Sequence, residues 1–508
     1  MSGPAVVGLA TETDLERLRQ MALLLEAENA RLHRRLVELT RALAAATGAT
    51  HTQLELEIAR LQEQLAARTR ALFGRSSERR GGAEREETTS PPAPRRGHGP
   101  RSQPELPRVD VVHTAAAPVA PCAQCGGALE PWTEQYEDAE EIDVVERSFR
   151  LVRHRRQKYR CQCGGGVVTA PGPAKLIPGG RYSVDFAVGV AVAKYLDHLP
   201  LARQVRQMAR AGLTVDTQTL WDQLLALSQH LAPTYEALVG DVLAAPVVGA
   251  DETTWQLMEP GRSKTWWVWA LCGPEAVVYR LLGTRSAAGA ATMLGDYRGI
   301  VVCDGYAAYR ALAKHSPGER AGPTITLAHC WAHVRRQYVE AETSSPQAAE
   351  VLRLLGELYA AEAAAQKTAA GAAAVVLRER RARAAPIVER IRTWVTQQRA
   401  LPQSALGKAL AYTTELWPGL VAFLDHAAIP VDNNATERAL RGIALGRKNH
   451  YGSRSERGTR VAALCYTLLE SAKLAGVEPA AYLAEATRRA IAMPGTVTLP
   501  RDPGLGGA

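Results

Sequence analysis

Val247-Val248-Gly249-Ala250-Asp251 and its counterpart Ile300-Val301-Val302-Cys303-Asp304 are the stretches on which the reading of this chain turns. Each is a short apolar run, rich in β-branched residues, that ends in an acid. Runs of this length and composition read as buried strands rather than helices. Working outward, residues 266–271 and 277–282 read as two further strands, and residues 286–294 as a helix. After Asp304 come a helix over 307–314, a strand over 324–328 and a helix from Trp331. Three consecutive strands followed by alternating helix and strand predict a mixed sheet with helices on both faces. In that order the first and fourth strands lie side by side, and Asp251 and Asp304 sit at neighbouring strand ends.

This element order is that of a ribonuclease H-like fold. A lone Asp after a strand is usually a turn or cap residue. Two acids, each closing an apolar strand at matching places, point instead to a shared divalent-cation site. Polynucleotide cleavage uses such a site, with two Mg²⁺ (or Mn²⁺) ions roughly 3.5–4 Å apart acting on the attacking and leaving oxygens. Each ion keeps several waters, so a handful of carboxylates suffices. Residues 345–425 are rich in Ala, Leu and Arg with helical periodicity, and read as an all-helical insertion with a bend at Gly371. The chain then reaches Asp432-Asn433-Asn434-Ala435-Thr436-Glu437-Arg438. From Arg438 to Arg460 there are seven Lys or Arg residues against one acid, Glu456. That density suits phosphate contacts, although an exposed basic helix face gives the same pattern. Asn434-x-x-Glu437 also has the form of a capping box, which would turn Glu437 back onto the helix start and leave Asp432 as the other acid in the region.

The N-terminal half reads as a series of smaller parts. Leu18, Leu25, Leu32 and Leu39 recur every seven residues, with Leu15, Ala22, Asn29, Leu36 and Leu43 in the companion positions. This is a coiled-coil seam with one Asn that favours a two-stranded register, or else an amphipathic helix docked on its own protein. Residues 75–110, with Pro91-Pro92-Ala93-Pro94 among charged residues, read as a disordered linker. Cys122-x-x-Cys125 and Cys161-x-Cys163 offer four thiolates with spacing that suits a closed, structural Zn²⁺ site. Within 176–243, a short amphipathic helix, a turn at Gly212 and a second helix over 215–227 form a helix-turn-helix-like pattern. Thr217 and Thr219 stand where such a helix would meet base edges.

Composition sets the outer limits. A chain of 508 residues is too long for one ordinary core, so several domains are expected. The net charge of +9 favours an anionic partner without identifying it. No apolar run approaches a membrane span and no signal-peptide core is evident, so a cytoplasmic protein is expected. Cys272, Cys303 and Cys465 fall in apolar runs and read as reduced core residues; Cys330 and His333 read as a buried thiol and a hydrogen-bonded histidine.

The chain resembles the transposases of the insertion sequence 66 family over almost its whole length. The resemblance is carried by Leu72-Phe73-Gly74-Arg75-Ser76-Ser77-Glu78, the four-Cys module, Asp251-Glu252-Thr253, Asp304-Gly305-Tyr306, Cys330-Trp331-Ala332-His333, Asn433-Asn434-Ala435-Thr436-Glu437-Arg438 and Gly446-Arg447-Lys448-Asn449. It implies acid-triad catalysis by Asp251, Asp304 and Glu437, with Mg²⁺ or Mn²⁺ at that triad. It also implies binding of double-stranded DNA at terminal inverted repeats and target, accessory proteins of the same element, and a prokaryotic, nucleoid-associated protein. Arg438, Arg441, Arg447, Lys448 and Arg454 are the expected phosphate contacts, and a homodimer is expected to hold two element ends. A nuclease that cuts without joining, or a repressor derived from a transposase, is the alternative. The resulting multidomain α/β partition is a coiled-coil region 1–74, linker 75–110, zinc module 111–175 and helical DNA-binding region 176–243. A catalytic core in two parts, 244–344 and 426–493, follows around the insertion 345–425, with a tail at 494–508.

Metal analysis of a fragment spanning residues 110–175 is expected to find one zinc per chain. Cys122→Ser should unfold that fragment, because binding energy at such sites is folding energy; a folded fragment without zinc would contradict the assignment.

Overall fold

The computed structural model of the protein describes residue 38 and residues 149–160, 167–259, 262–314 and 324–504. The heptad seam, the linker and Cys122, Cys125, Cys161 and Cys163 lie outside these residues. In sequence, the second cysteine pair falls between β1 (Lys158–Arg160) and β2 (Val167–Thr169), which form an antiparallel hairpin.

The central sheet has five strands: β3 (Val247–Glu259), β4 (Arg262–Cys272), β5 (Val277–Leu282), β6 (Arg298–Cys303) and β7 (Thr324–His329). Their order is β5-β4-β3-β6-β7. β3, β4 and β5 form an antiparallel meander, whereas β3, β6 and β7 run parallel. The first and fourth strands of the sheet are therefore neighbours, as the element order implies. β3 and β4 are longer than the apolar runs that announce them. Past Asp251 the strand turns half polar, but Trp255 and Leu257 are buried and carry it on to Glu259.

Three helices precede the sheet: α1 (Val184–Tyr195), α2 (Leu201–Arg210) and α3 (Thr217–Ala244). Gly212 makes the turn between α2 and α3 with φ +80, a left-handed conformation that costs glycine least. The second helix of the expected helix-turn-helix is not a short one ending near residue 227. It runs 28 residues, because Leu231, Leu238 and Val242 continue its buried stripe. Helices α4 (Ala287–Leu294), α5 (Ala307–Ala313) and α6 (Trp331–Glu342) alternate with the later strands. Then come α7 (Ala348–Ala369), α8 (Ala373–Glu379), a π-helical turn over Arg380–Ala384, α9 (Ala385–Gln397) and α10 (Ala405–Val421). The bend between α7 and α8 occurs at Ala370 and Gly371, both with positive φ. α11 (Asn434–His450), α12 (Glu456–Leu474) and α13 (Pro479–Ala492) complete the chain. Among the described residues, no helix is long and apolar enough to cross a membrane.

Two apolar clusters hold these elements. The larger joins α1, α3, α12 and α13 to β3, β4 and β5, so the helices before the sheet share its core. In the same cluster α12 closes the sheet edge. The backbone N–H groups of Val277 and Tyr279 on β5 donate to Ser471 Oγ (3.1 Å) and Thr467 Oγ1 (3.0 Å), which removes an edge open to pairing. The smaller cluster packs α6, α7, α9 and α10 against Val302 and Ala328 of the sheet.

A buried ion pair, Arg380 with Glu362, lies inside the helical region. Arg380, on the π-helical turn, is fully buried. It meets Glu362 through Nε (2.8 Å) and Nη2 (2.6 Å), and donates to the carbonyls of Phe423, His426, Ala427 and Ile429. The guanidinium thus ties α7 to the turn over 423–429, from which the chain enters α11. Removing one member of a buried pair strands the other charge. Arg380→Met should cost about 3–5 kcal/mol in denaturant unfolding, and Arg380→Met with Glu362→Met should recover part of that loss. A single variant as stable as the wild type would show that the lock is not formed.

Candidate active site

The register of β3 against β6 positions the first two acids. The parallel ladder pairs Val247 with Ile300, Val248 with Val301 and Gly249 with Val302. Continued by two residues, it sets Asp251 beside Asp304, just past the end of β6. Gly305 follows with φ +87, and a Cβ there would lie 2.6 Å from Leu416 of α10. Asp304 Oδ1 accepts the N–H of Tyr306 (2.9 Å), while its carbonyl accepts the Tyr412 hydroxyl. Asp251 Oδ1 accepts the N–H of Glu252 (2.8 Å). Burial, followed by the like charges of Glu252, Asp304 and Glu437, pushes the Asp251 carboxyl up to about 7.

In sequence Glu252 stands out only as part of the Asp251-Glu252-Thr253 motif, yet its side chain is almost fully buried. Its carboxylate pairs with Arg285 (2.8 Å) and accepts from Tyr309 (3.2 Å). The Arg285 guanidinium lies over the rings of Tyr306 (4.2 Å) and Trp267 (4.9 Å). Strand alternation, which sends Asp251 and Glu252 to opposite faces, is the sequence signal that separates their roles.

Glu437 reaches the site because α11 is clamped to β3. Asn433 and Thr436 are buried at the start of that helix. Asn433 Nδ2 donates to the carbonyl of Ala250 (2.9 Å), its backbone N–H points at Cys330 Sγ (3.1 Å), and Thr436 Oγ1 donates to Asn433 Oδ1 (2.7 Å). Gly249 makes the approach possible, since a Cβ there would stand 2.1 Å from Thr436 Oγ1 and 2.6 Å from Asn433 Oδ1. The helix begins after Asn433 with no side-chain cap, so the capping box between Asn434 and Glu437 does not form. Asp432 instead accepts from the backbone N–H (3.1 Å) and side-chain amide (2.6 Å) of Asn434. Glu437 Oε2 is 3.8 Å from Arg336 and Oε1 is 3.6 Å from His333 Nδ1. Among the described residues, the one group of three or more ligand side chains with atoms within 4.8 Å of each other is Cys330, His333 and Glu437. Asp251 feels the charges of Asp304 and Glu437, but these three carboxylates do not form such a group.

The candidate DNA contacts divide. Arg438, Arg441 and Lys448 are exposed on α11 at spacings that share one face with exposed Leu445, and Arg454 is exposed in the loop beyond. Arg447 is turned inward: it donates to Thr253 Oγ1 (2.7 Å), Thr254 Oγ1 (2.8 Å) and the Thr254 carbonyl, fastening α11 to β3. Thr217 is exposed at the start of α3, whereas Thr219 is half-buried and gives its N–H to the capping Asp216 (2.6 Å). The zinc ligands expected from sequence lie outside the described residues. Hard oxygen donors at Asp251, Asp304 and Glu437 fit Mg²⁺ or Mn²⁺, and the raised Asp251 carboxyl marks a buried negative centre that a cation would relieve.

Comparison with known proteins supplies the family. Residues 179–461 match the profile described as Transposase IS66 family, and residues 121–164 match that of the zinc-finger binding domain of transposase IS66. The uncharacterized protein y4jD of Sinorhizobium fredii is 35% identical over 402 residues, 76% of this chain and 77% of that one. The uncharacterized proteins y4qI and y4hP of the same organism are 32% and 27% identical, covering 78% and 73% of this chain and 74% and 71% of their own lengths. With more than half of its length inside the family profile and the zinc-finger profile ahead of it, the chain belongs to the IS66 family of transposases.

Proposed function

We propose that this transposase cuts DNA at the ends of an insertion sequence and joins them to target DNA on a ribonuclease H-like core, with Asp251, Asp304 and Glu437 as its three acids. The observation that carries the reading is the clamp of Asn433 and Thr436 on β3, which brings the helix of Glu437 against the strand of Asp251, itself next to the strand of Asp304. Mg²⁺ or Mn²⁺, when bound, would supply activation of the attacking oxygen and stabilisation of the leaving one. Asp251 and Asp304 hold the strand-end side of the site, and Glu437 the helix side. Asp432 is the weaker candidate for third acid, since both of its oxygens are engaged by Asn434.

The rest of the chain fits around this chemistry. Arg438, Arg441, Lys448 and Arg454 meet the phosphates of bound DNA, and Arg447 fixes the helix that presents them. Cys122, Cys125, Cys161 and Cys163 hold Zn²⁺ in the finger that precedes the core. End recognition falls to that finger and to the helices of 176–243, Thr217 being the better placed of the two threonines. The heptad seam within 1–74 pairs two copies so that both element ends are held, and accessory proteins of the same element complete the assembly.

Glu437→Gln, Asp251→Asn and Asp304→Asn should each lower cleavage and joining well beyond about 100-fold, since even outer partners of metal ligands are worth roughly 10–100-fold. DNA binding should persist, and Asp432→Asn should keep measurable activity. An inactive Asp432→Asn beside an active Glu437→Gln would reassign the third acid. Supplying pre-cleaved ends separates joining from plain nuclease action. A stability test reads the same site without DNA. The Asp251 carboxyl titrates higher folded than unfolded, so it lowers stability as pH rises through about 7. Without added divalent cation, Asp251→Asn should therefore melt roughly 2–4 °C above wild type at pH 8 and match it below the ordinary carboxyl range. Equal melting at both pH values would mean that Asp251 is not held in a buried negative centre.

A further inference from the structure

His333 and Glu437 leave a chemical problem that the three-acid reading does not address. His333 lies in the first turn of α6, three residues after Cys330, where the chain leaves the end of β7. Its Nδ1 faces Glu437 Oε1 at 3.6 Å, beyond a hydrogen bond. Both atoms are shut off from solvent, and neither has a hydrogen-bond partner. A buried polar group without a partner is costly, and here two of them face each other. The gap is one that an ion spans. Imidazole nitrogen and carboxylate oxygen each bind divalent ions at about 2.1 Å, so two ligands of one ion can stand up to about 4.2 Å apart.

We propose that His333 Nδ1 and Glu437 Oε1 hold one divalent ion of the reaction centre between them, and that this nitrogen ligand biases the site towards Mn²⁺ over Mg²⁺. The proposal rests on Glu437 being the third acid. Imidazole is a softer donor than carboxylate and suits first-row transition ions, whereas Mg²⁺ favours oxygen throughout. Cys330 has a different part. Its sulfur faces the backbone N–H of Asn433, and the N–H of Trp331 donates to the carbonyl of Val431 (3.1 Å). These contacts hold the start of α6 against the segment that leads into α11, and so fix the distance between His333 and Glu437. Arg336, one turn further along α6, approaches the other oxygen of Glu437 and orients the carboxylate.

The test is Mn²⁺ binding to the full-length, zinc-loaded protein, followed by electron paramagnetic resonance with spin-echo detection of ¹⁴N coupling. Wild type should show nitrogen coupling to bound Mn²⁺. His333→Gln should lose that coupling and bind its weakest-held Mn²⁺ at least about tenfold less tightly, while melting like wild type in the absence of metal. Should that variant misfold, His333→Asn serves for the same comparison. Asp251→Asn should retain the coupling, because its nitrogen ligand is intact. No coupling in wild type, or coupling and affinity unchanged in the His333 variants, would overturn the proposal. In that event weakened Mn²⁺ binding by Glu437→Gln and Asp251→Asn would leave the three-acid reading standing, whereas no Mn²⁺ binding by any form would remove both.

Discussion

The contact between the Asn433 side chain and the carbonyl of Ala250 is the constraint on which the site depends. Asp251 and Glu437 are far apart in sequence, and nothing local holds them together. Asn433 spends its donor on β3 and its acceptor on Thr436, so a buried amide is satisfied at both ends and the helix has one docking position. Gly249 is the complement of this arrangement, because any side chain there would occupy the space of Thr436 Oγ1. At the far end of the same helix Arg447 grips Thr253 and Thr254, two and three residues beyond Asp251 on the same strand. A helix pinned at both ends to one strand cannot slide, and the acid it carries inherits that precision.

Electrostatics then works against the fold at this point. Asp251 is buried among like charges and its carboxyl is held well above the usual range. The Glu252 carboxyl, next in the chain, is also raised by burial, but it has a cationic partner. Its charge is offset by Arg285, which stacks on Tyr306 and Trp267. Two adjacent acids on one strand therefore differ in their partners, an arginine for Glu252 and a backbone N–H for Asp251. The buried charge of Asp251 and the exposed Arg438, Arg441 and Lys448 of α11 are the features on which the proposed cation and phosphate contacts draw.

The helical region between α6 and α11 is more than a spacer. Tyr412 and Leu416 of α10 close over Asp304 and Gly305, so the region touches the second acid directly. Arg380 binds the turn from which the chain runs on to Asn433, and so bears on the third. Both effects follow from a second apolar core that leans on Val302 and Ala328 of the sheet.

Much of this could be read along the chain. Two apolar runs ending in acids, the strand order they imply, the helical stretch over 345–425 and the basic segment after Glu437 are all local patterns, and each appears in the structure. Sequence also names Glu437 and Asp432 as rivals and chooses Glu437 on the family pattern and the reach of a first-turn carboxylate, but it has no geometry with which to choose between a formed and an unformed capping box. That choice lay in where the helix starts, which depends on Asn433 being used by a strand that precedes it by 183 residues. The length of α3, the inward turn of Arg447, the buried Arg380 and the facing atoms of His333 and Glu437 were hidden for the same reason. Periodicity and composition record how each segment prefers to fold and which face it buries. Which polar group meets which across a core is settled only when the segments pack, because hydrogen bonds and ion pairs act over a few ångströms and carry no trace in sequence spacing.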